Sequence, residues 1–185
     1  SITGFVTNNA TVNYWFNNAV AINNSFSGTG VVNLINNDTA SRRFSIGSGP
    51  TSTTNYTFSG QWHVGPRVNL GTPDNSSGTN QLGIGSTVYV EDTGSVLLDR
   101  NGLYPVTFFI QGAGNGSGNA GIMTLELEQG TTVSGDVILL ADSTIGGFLG
   151  ATRISGRIVG TNGTETLTFA NRRSGTTSFN LQIRS

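Results

Sequence analysis

The last third of the chain, Gly121 to Ile183, reads GIMTLELEQGTTVSGDVILLADSTIGGFLGATRISGRIVGTNGTETLTFANRRSGTTSFNLQI and carries apolar residues at alternate positions in short runs. Gly, Asn, Ser or Asp ends each run after about four to seven residues, the length and punctuation of β-strands. Met123 to Glu128, Ile154 to Val159 and Thr164 to Phe169 all alternate in this way. No window holds the i, i+3, i+4, i+7 spacing of an amphipathic helix. A chain of many short strands can bury its apolar side as a sandwich, a barrel or a stacked solenoid.

The same pattern runs upstream. Strand-like runs lie at Ile2 to Val6, Thr11 to Phe16, Ala19 to Ile22, Val31 to Ile35, Arg43 to Ile46, Tyr56 to Val64, Thr87 to Val90, Ser95 to Leu98 and Pro105 to Ile110. The pairs Asn8-Asn9, Asn17-Asn18, Asn23-Asn24 and Asn36-Asn37 separate the first of them. Asn tolerates left-handed backbone and bonds its own main chain, so pairs at this spacing suit tight corners. Stacked Asn ladders between coils are the other reading of the same residues. Ser-Gly followed by apolar residues recurs at Ser27-Gly28, Ser59-Gly60, Ser134-Gly135 and Ser155-Gly156, a spacing compatible with coils of a solenoid. Gly71 to Asn80 and Gly112 to Gly121 are nearly devoid of apolar residues and are expected to be lateral loops on one domain spanning residues 1–185.

Composition narrows the partners. The net charge is -1, with nine Arg scattered along the chain and no Lys, so neither nucleic acid nor an anionic membrane surface has a cluster of cations to meet. No apolar run approaches the roughly 18 to 20 residues that span a bilayer, and no membrane insertion is expected. Ten Phe, four Tyr and two Trp supply a packed core despite the polar remainder. Cysteine is absent, which removes disulfides and thiolate metal sites. The chain opens on Ser1, as expected of an exported product whose signal peptide has been removed, which places it outside the cell or on its surface.

Candidate sites are few, and no catalytic, cofactor or metal residue is assigned. Glu126 and Glu128 share one side of a strand at a separation that suits a retaining glycosidase, but the alternating Leu125 and Leu127 make a solvated face the expectation. His63 has neither Cys nor a second His to share a zinc ion with, and is expected to be an exposed strand residue. Glu91, Asp92 and Asp99 could meet calcium only if coils align them. Tyr56 and Trp62 near Arg67 form a candidate glycan platform, with core placement of these rings as the equal alternative.

Gly163 to Ile183, GTETLTFANRRSGTTSFNLQI, resembles the autotransporter-associated β-strand repeat, and Asp136 to Gly160 is similar to the segments that precede that repeat. Asn171-Arg-Arg-Ser-Gly replaces the usual Tyr-x-Gly. The resemblance implies a right-handed parallel β-helix at a bacterial surface; a β-sandwich or jelly roll of the pilin or capsid kind is the alternative fold. In that family the strand at Leu181 to Ile183 would lead into a segment like Ser1 to Val12, so the end of the chain looks continued by its own beginning. The expected function is an extracellular structural subunit that stacks head to tail into a filament. Its contacts would be Tyr14, Trp15 and Phe16 at one end and Phe179, Leu181 and Ile183 at the other. A glycan-binding adhesin or tailspike-like module is the alternative, and a polysaccharide lyase or hydrolase a third reading.

Overall fold

Alternation becomes strand wherever a run is short enough to end at a corner. A computed structural model describes residues 5–22, 24–46, 57–72, 82–98, 101–115, 123–128, 130–148 and 150–171. Among them are nineteen strands and no helix. In chain order they are β1 (Phe5–Thr7), β2 (Thr11–Phe16), β3 (Val20–Ile22), β4 (Ser25–Gly28), β5 (Val31–Asn36), β6 (Arg42–Ile46), β7 (Thr57–Phe58), β8 (Gln61–Val64) and β9 (Val68–Gly71). They continue as β10 (Thr87–Val90), β11 (Ser95–Leu98), β12 (Leu103–Tyr104), β13 (Thr107–Gly112), β14 (Leu125–Glu128), β15 (Thr132–Val133), β16 (Val137–Phe148), β17 (Arg153–Ile154), β18 (Ile158–Gly160) and β19 (Leu167–Asn171).

The strands pair in parallel and stack as a β-solenoid of about 6 turns, not as two sheets pressed together. The first face stacks β2, β5, β8, β10, β13, the start of β16 and β18. The second stacks β3, β6, β9, β11, β14, the end of β16 and β19. The third is made of two short ladders, β1-β4-β7 and β12-β15-β17. Because β16 rounds the corner without a break, it belongs to both long faces.

In-register parallel pairing turns the alternation into columns. On the first face Val12, Val32, Trp62, Val88, Phe108, Val137 and Ile158 stack inward, one per coil. On the second, Val20, Phe44, Leu70, Val96, Leu125, Ile145 and Phe169 do the same. Apart from Val12 and Phe169 at their ends, these columns and the inward residues of the third face, such as Phe26, Tyr104, Val133 and Ile154, merge into one core. Trp62 is its largest fully buried side chain. Its ring meets Phe26 and Phe58 edge-on at 5.3 Å each, and its Nε1–H donates to the Leu82 carbonyl at 2.9 Å, so the buried indole keeps a partner.

The corner between the third and first faces explains the recurring Ser-Gly. Gly30, Gly60, Gly135 and Gly156 occupy it, and a Cβ on any of them would strike the main chain of the coil beneath, the Gly30 carbonyl in the case of Gly60. Only glycine lets the coils approach so closely there. Ser59-Gly60, Ser134-Gly135 and Ser155-Gly156 therefore mark one structural position, but Ser27-Gly28 does not. Thr29-Gly30 holds that corner in its own coil, two residues later.

Other boundaries differ from the alternation in the same way. The run Tyr56 to Val64 is split by the corner at Gly60, and Ile154 to Val159 by the corner at Gly156. Thr164 to Thr166 alternate with the strand after them yet lie outside it. Of the expected loop Gly71 to Asn80, Gly71 ends β9, and Thr72 is buried with its hydroxyl 2.8 Å from that of Tyr104. Residues 73–80 lie outside the described set, as do 116–121 of the second loop.

The described Asn pairs serve mainly at corners, and the ladder falls on other Asn residues. Asn8, Asn9, Asn17, Asn18, Asn24 and Asn37 stand between strands, while Asn23 lies outside the described residues. Buried Asn8 accepts from the N–H of Ala10 and donates to the Val31 carbonyl, bracing a corner across two coils. The ladder occurs elsewhere, on the outer side of the first face, where Asn33 Nδ2 donates to Asn13 Oδ1 at 2.7 Å.

Candidate functional site

Outward residues of the first face also stack. His63, Tyr89 and Phe109 follow Asn13 and Asn33 in one column, with ring centroids 4.8 Å apart for His63 and Tyr89 and 4.5 Å for Tyr89 and Phe109. The last two rings lie within 9° of parallel. Each ring therefore covers the face of its neighbour and turns its edge to solvent. His63 is the half-exposed strand residue expected from the sequence, with Nε2 3.3 Å from Gln61 Oε1.

Trp15 pairs with Ile35 in the neighbouring outward column, and Gly65 and Glu91, the residues just after β8 and β10, carry its line onward. A cleft of about 350 Å³ opens beside Gly65, where an added Cβ would come within 2.8 Å of the Leu34 carbonyl. Ile35 and Glu91 bound it along the solenoid axis, Asn33 and His63 on the face, and Pro66 and Arg67 at the corner. Its floor is main chain already paired across coils: Gly65 N–H donates to the Leu34 carbonyl, and Glu91 N–H to that of Val64.

The corner wall is built with care. Gly65-Pro66-Arg67-Val68 is a tight turn closed by Val68 N–H on the Gly65 carbonyl, and it places Arg67 at φ 58, a conformation that L-residues other than Asn and Asp rarely adopt. Buried Asn36 donates through Nδ2 to the carbonyls of Ala40 and Arg67, at 2.8 and 3.0 Å. Arg67 Nε donates to the Asp38 carbonyl at 3.0 Å. Asp38 is itself paired with Arg42, and that guanidinium holds its carboxyl below the usual range. The cation of the cleft thus stands on a braced loop.

Most residues singled out in the sequence lie elsewhere. Trp62 is fully buried, because its inward phase on β8 puts it in the core, so it offers no surface to a sugar. Tyr56 lies outside the described residues, as do Phe179, Leu181, Ile183 and Asp99. Only Arg67 of the glycan trio is exposed at a cleft. Tyr14, Trp15 and Phe16 divide by phase: Phe16 is buried against Phe44, Tyr14 is half-buried between Phe26 and Phe44, and Trp15 points outward and is 67% exposed. Burial pushes the Tyr14 phenol up.

Glu126 is not on a solvated face. It points outward from the second face, as the alternation requires, yet it is fully buried, because that face is covered. Three described residues between β13 and β14 make contacts there: Asn115 Nδ2 donates to Ser95 Oγ at 3.1 Å, the Thr124 hydroxyl donates to the Gly112 carbonyl, and Met123 presses on Gly146. Shut away from solvent, Glu126 cannot meet a glycosidic bond beside Glu128.

A second cleft, of about 560 Å³, is lined among others by Asp92, Gln111, Asp142 and Glu165. Its carboxylates serve the fold. Asp142 accepts the N–H of Thr166 at 2.7 Å, and Glu165 accepts the N–H groups of Asn162 and Thr164 with the hydroxyl of Thr161. Among the described residues no group of His, Asp or Glu is arranged to hold a metal ion.

The architecture defines a parallel β-solenoid with one open face and one covered face. No family model, curated protein or solved structure matches the chain.

The Gly65 cleft could not be found by reading along the chain. Its four column members come from four coils, and insertions between strands hide which residues will be neighbours. Gly65-Pro66-Arg67 was the local signal, a turn carrying a cation immediately after a strand.

Proposed function

We propose that this protein is an extracellular structural subunit whose end coils mate with those of identical copies to build a filament. The observation that carries the reading is a gradient of burial along the columns. Phe44, Leu70, Val96, Leu125 and Ile145 are fully buried, whereas Val20, at one end of their column, is half-buried and Phe169, at the other, is 45% exposed. Tyr14 and Ile22 are similarly half-covered where Leu34 and Ile46 on the adjacent coil are closed. Among the described residues, each of β1, β2 and β3 pairs on one side only.

A further coil would satisfy both deficits. Each ladder bond contributes about 0.5 to 1.5 kcal/mol net, and association costs about 4 to 15 kcal/mol, so apolar stacking must tip the balance. Half-open columns of Tyr, Val, Ile and Phe offer that surface. A head-to-tail contact without rotational closure propagates as a fibre.

Electron microscopy and sizing over a range of concentrations test the reading. Filaments are expected from the unmodified chain, and shorter assemblies or monomers from Phe169→Glu with an unchanged circular dichroism spectrum. A protein that stays monomeric at high concentration overturns it.

A further inference from the structure

We propose that the cleft at Gly65 is a binding site for a neutral oligosaccharide. The proposal goes beyond end-to-end assembly and does not depend on it, since the cleft lies on a side of the solenoid.

Three features of the cleft select the ligand. The first is charge. Arg67 and Glu91 both line one small space, so an anion drawn to the guanidinium meets the carboxylate, and a cation drawn to the carboxylate meets the guanidinium. A hydroxyl-rich neutral molecule satisfies both, because one hydroxyl donates to Glu91 while another accepts from Arg67. Asn33 and His63 add two further polar side chains within reach of the same volume.

The second feature is the mixture of surfaces. Ile35 gives the cleft an apolar wall, and the indole of Trp15 stands one coil further along the same outward column, 67% exposed. A sugar ring is polar at its rim and apolar on its faces, and it suits an aliphatic wall beside an open aromatic. At about 350 Å³ the cleft falls at the small end of the roughly 300 to 1,000 Å³ typical of ligand sites, so it seats a short stretch of a chain whose next ring reaches Trp15. The stacked rings of His63, Tyr89 and Phe109 are not this platform, since they cover one another.

The third is preorganisation. Arg67 is kept at a positive φ by a proline-containing turn and by the bonds from Asn36 and to Asp38, so little ordering remains to be done on binding. Backbone strain of this kind collects where a side chain must be presented in one place. A peptide is a poorer occupant. Adding a strand requires an open edge, and the amides that floor this cleft already bond neighbouring coils.

The full chain would be screened against an array of neutral, uronic and sulfated oligosaccharides and a set of unstructured peptides. Titration of the neutral hits would follow indole emission. Neutral glycans are expected to bind selectively and to change the emission of Trp15, with buried Trp62 as a constant background. Glu91→Gln and Arg67→Ala should each weaken binding by about tenfold or more, while Thr107→Ala on the same face leaves it unchanged. Trp15→Ala should abolish the emission change. Circular dichroism would establish that the variants fold. Preference for acidic glycans or for peptides, no binding of neutral glycans, or affinity indifferent to both Glu91→Gln and Arg67→Ala overturns the proposal.

Discussion

The two long faces of this solenoid obey one alternation and end up unlike each other. On the outer side of the first face, Asn33, His63, Tyr89, Phe109 and Ile138 are half-exposed. At the same phase of the second face, Asn69, Ser95, Leu97, Thr124 and Glu126 are all buried. The period of two fixes which way a side chain points, but whether anything lies over it depends on where an insertion folds. Asn115 and Met123 lie against the second face, which is buried, while the first is open, so a cleft survives on the first and a glutamate is buried on the second.

The sharpest way to break this contrast is to shave one outward residue from each face. Leu97→Ala should cost about 2 to 4 kcal/mol, as for a core leucine, although its phase is outward. Phe109→Ala should cost about 1 kcal/mol, mostly lost ring contact. Urea midpoints read both, and equal costs would mean that the cover on the second face contributes nothing.

Glu126 sharpens it further. Removing a buried, partnered polar group leaves the partner behind, so Glu126→Ala should lose about 1 to 3 kcal/mol. Gln61→Ala, exposed on the first face, should stay within about 0.5 kcal/mol of the unmodified chain. A thermal-melt comparison suffices, and a Glu126 variant as stable as the Gln61 variant would return the second face to solvent. Between Tyr89 and Phe109 a double-mutant cycle should give a coupling of about 0.5 to 1.5 kcal/mol. His63 and Tyr89, tilted by 33°, should couple less. No coupling in either pair would make the ring column an accident of register.

These contrasts mark how far the sequence could be read. The solenoid was legible because alternation, turn residues and spacing agreed, as they do from Thr87 to Val90 and from Ser95 to Leu98. Corners inside a run were not: Gly60 and Gly156 look like small residues in a strand, and their role appears only against the carbonyl of the coil beneath. Trp62 was open between platform and core because phase along β8 depends on which neighbours are inward, and Tyr56 could not supply that reference across the corner. Arg67 lines a cleft, but its companions Ile35, Gly65 and Glu91 are brought together by pairing across coils of unequal length. Long-range register of that kind leaves no local trace.

The last and smallest test concerns the join between the faces, where residues 161–166 link β18 to β19. Partial burial pushes the Glu165 carboxyl up, but the N–H groups of Asn162, Glu165 and Thr164 and the Thr161 hydroxyl outweigh it, and its pKa falls from 4.5 to about 2. A carboxyl whose pKa is lower folded than unfolded binds fewer protons in the native state, so it stabilises fully above pH 4.5 and loses that contribution as the pH falls towards about 2. Glu165→Gln keeps the shape and removes the charge. The variant should therefore melt below the unmodified chain at pH 7, with the gap closing between pH 4.5 and about 2. Asp38 and Asp136, also lowered by their arginine partners, titrate in both proteins and cancel from the difference. Because the turn is exposed, added salt should shrink the gap as well. A gap that ignores pH would mean that Glu165 acts on this turn through its shape alone, and that the charge at the join contributes nothing to holding the open face against the covered one.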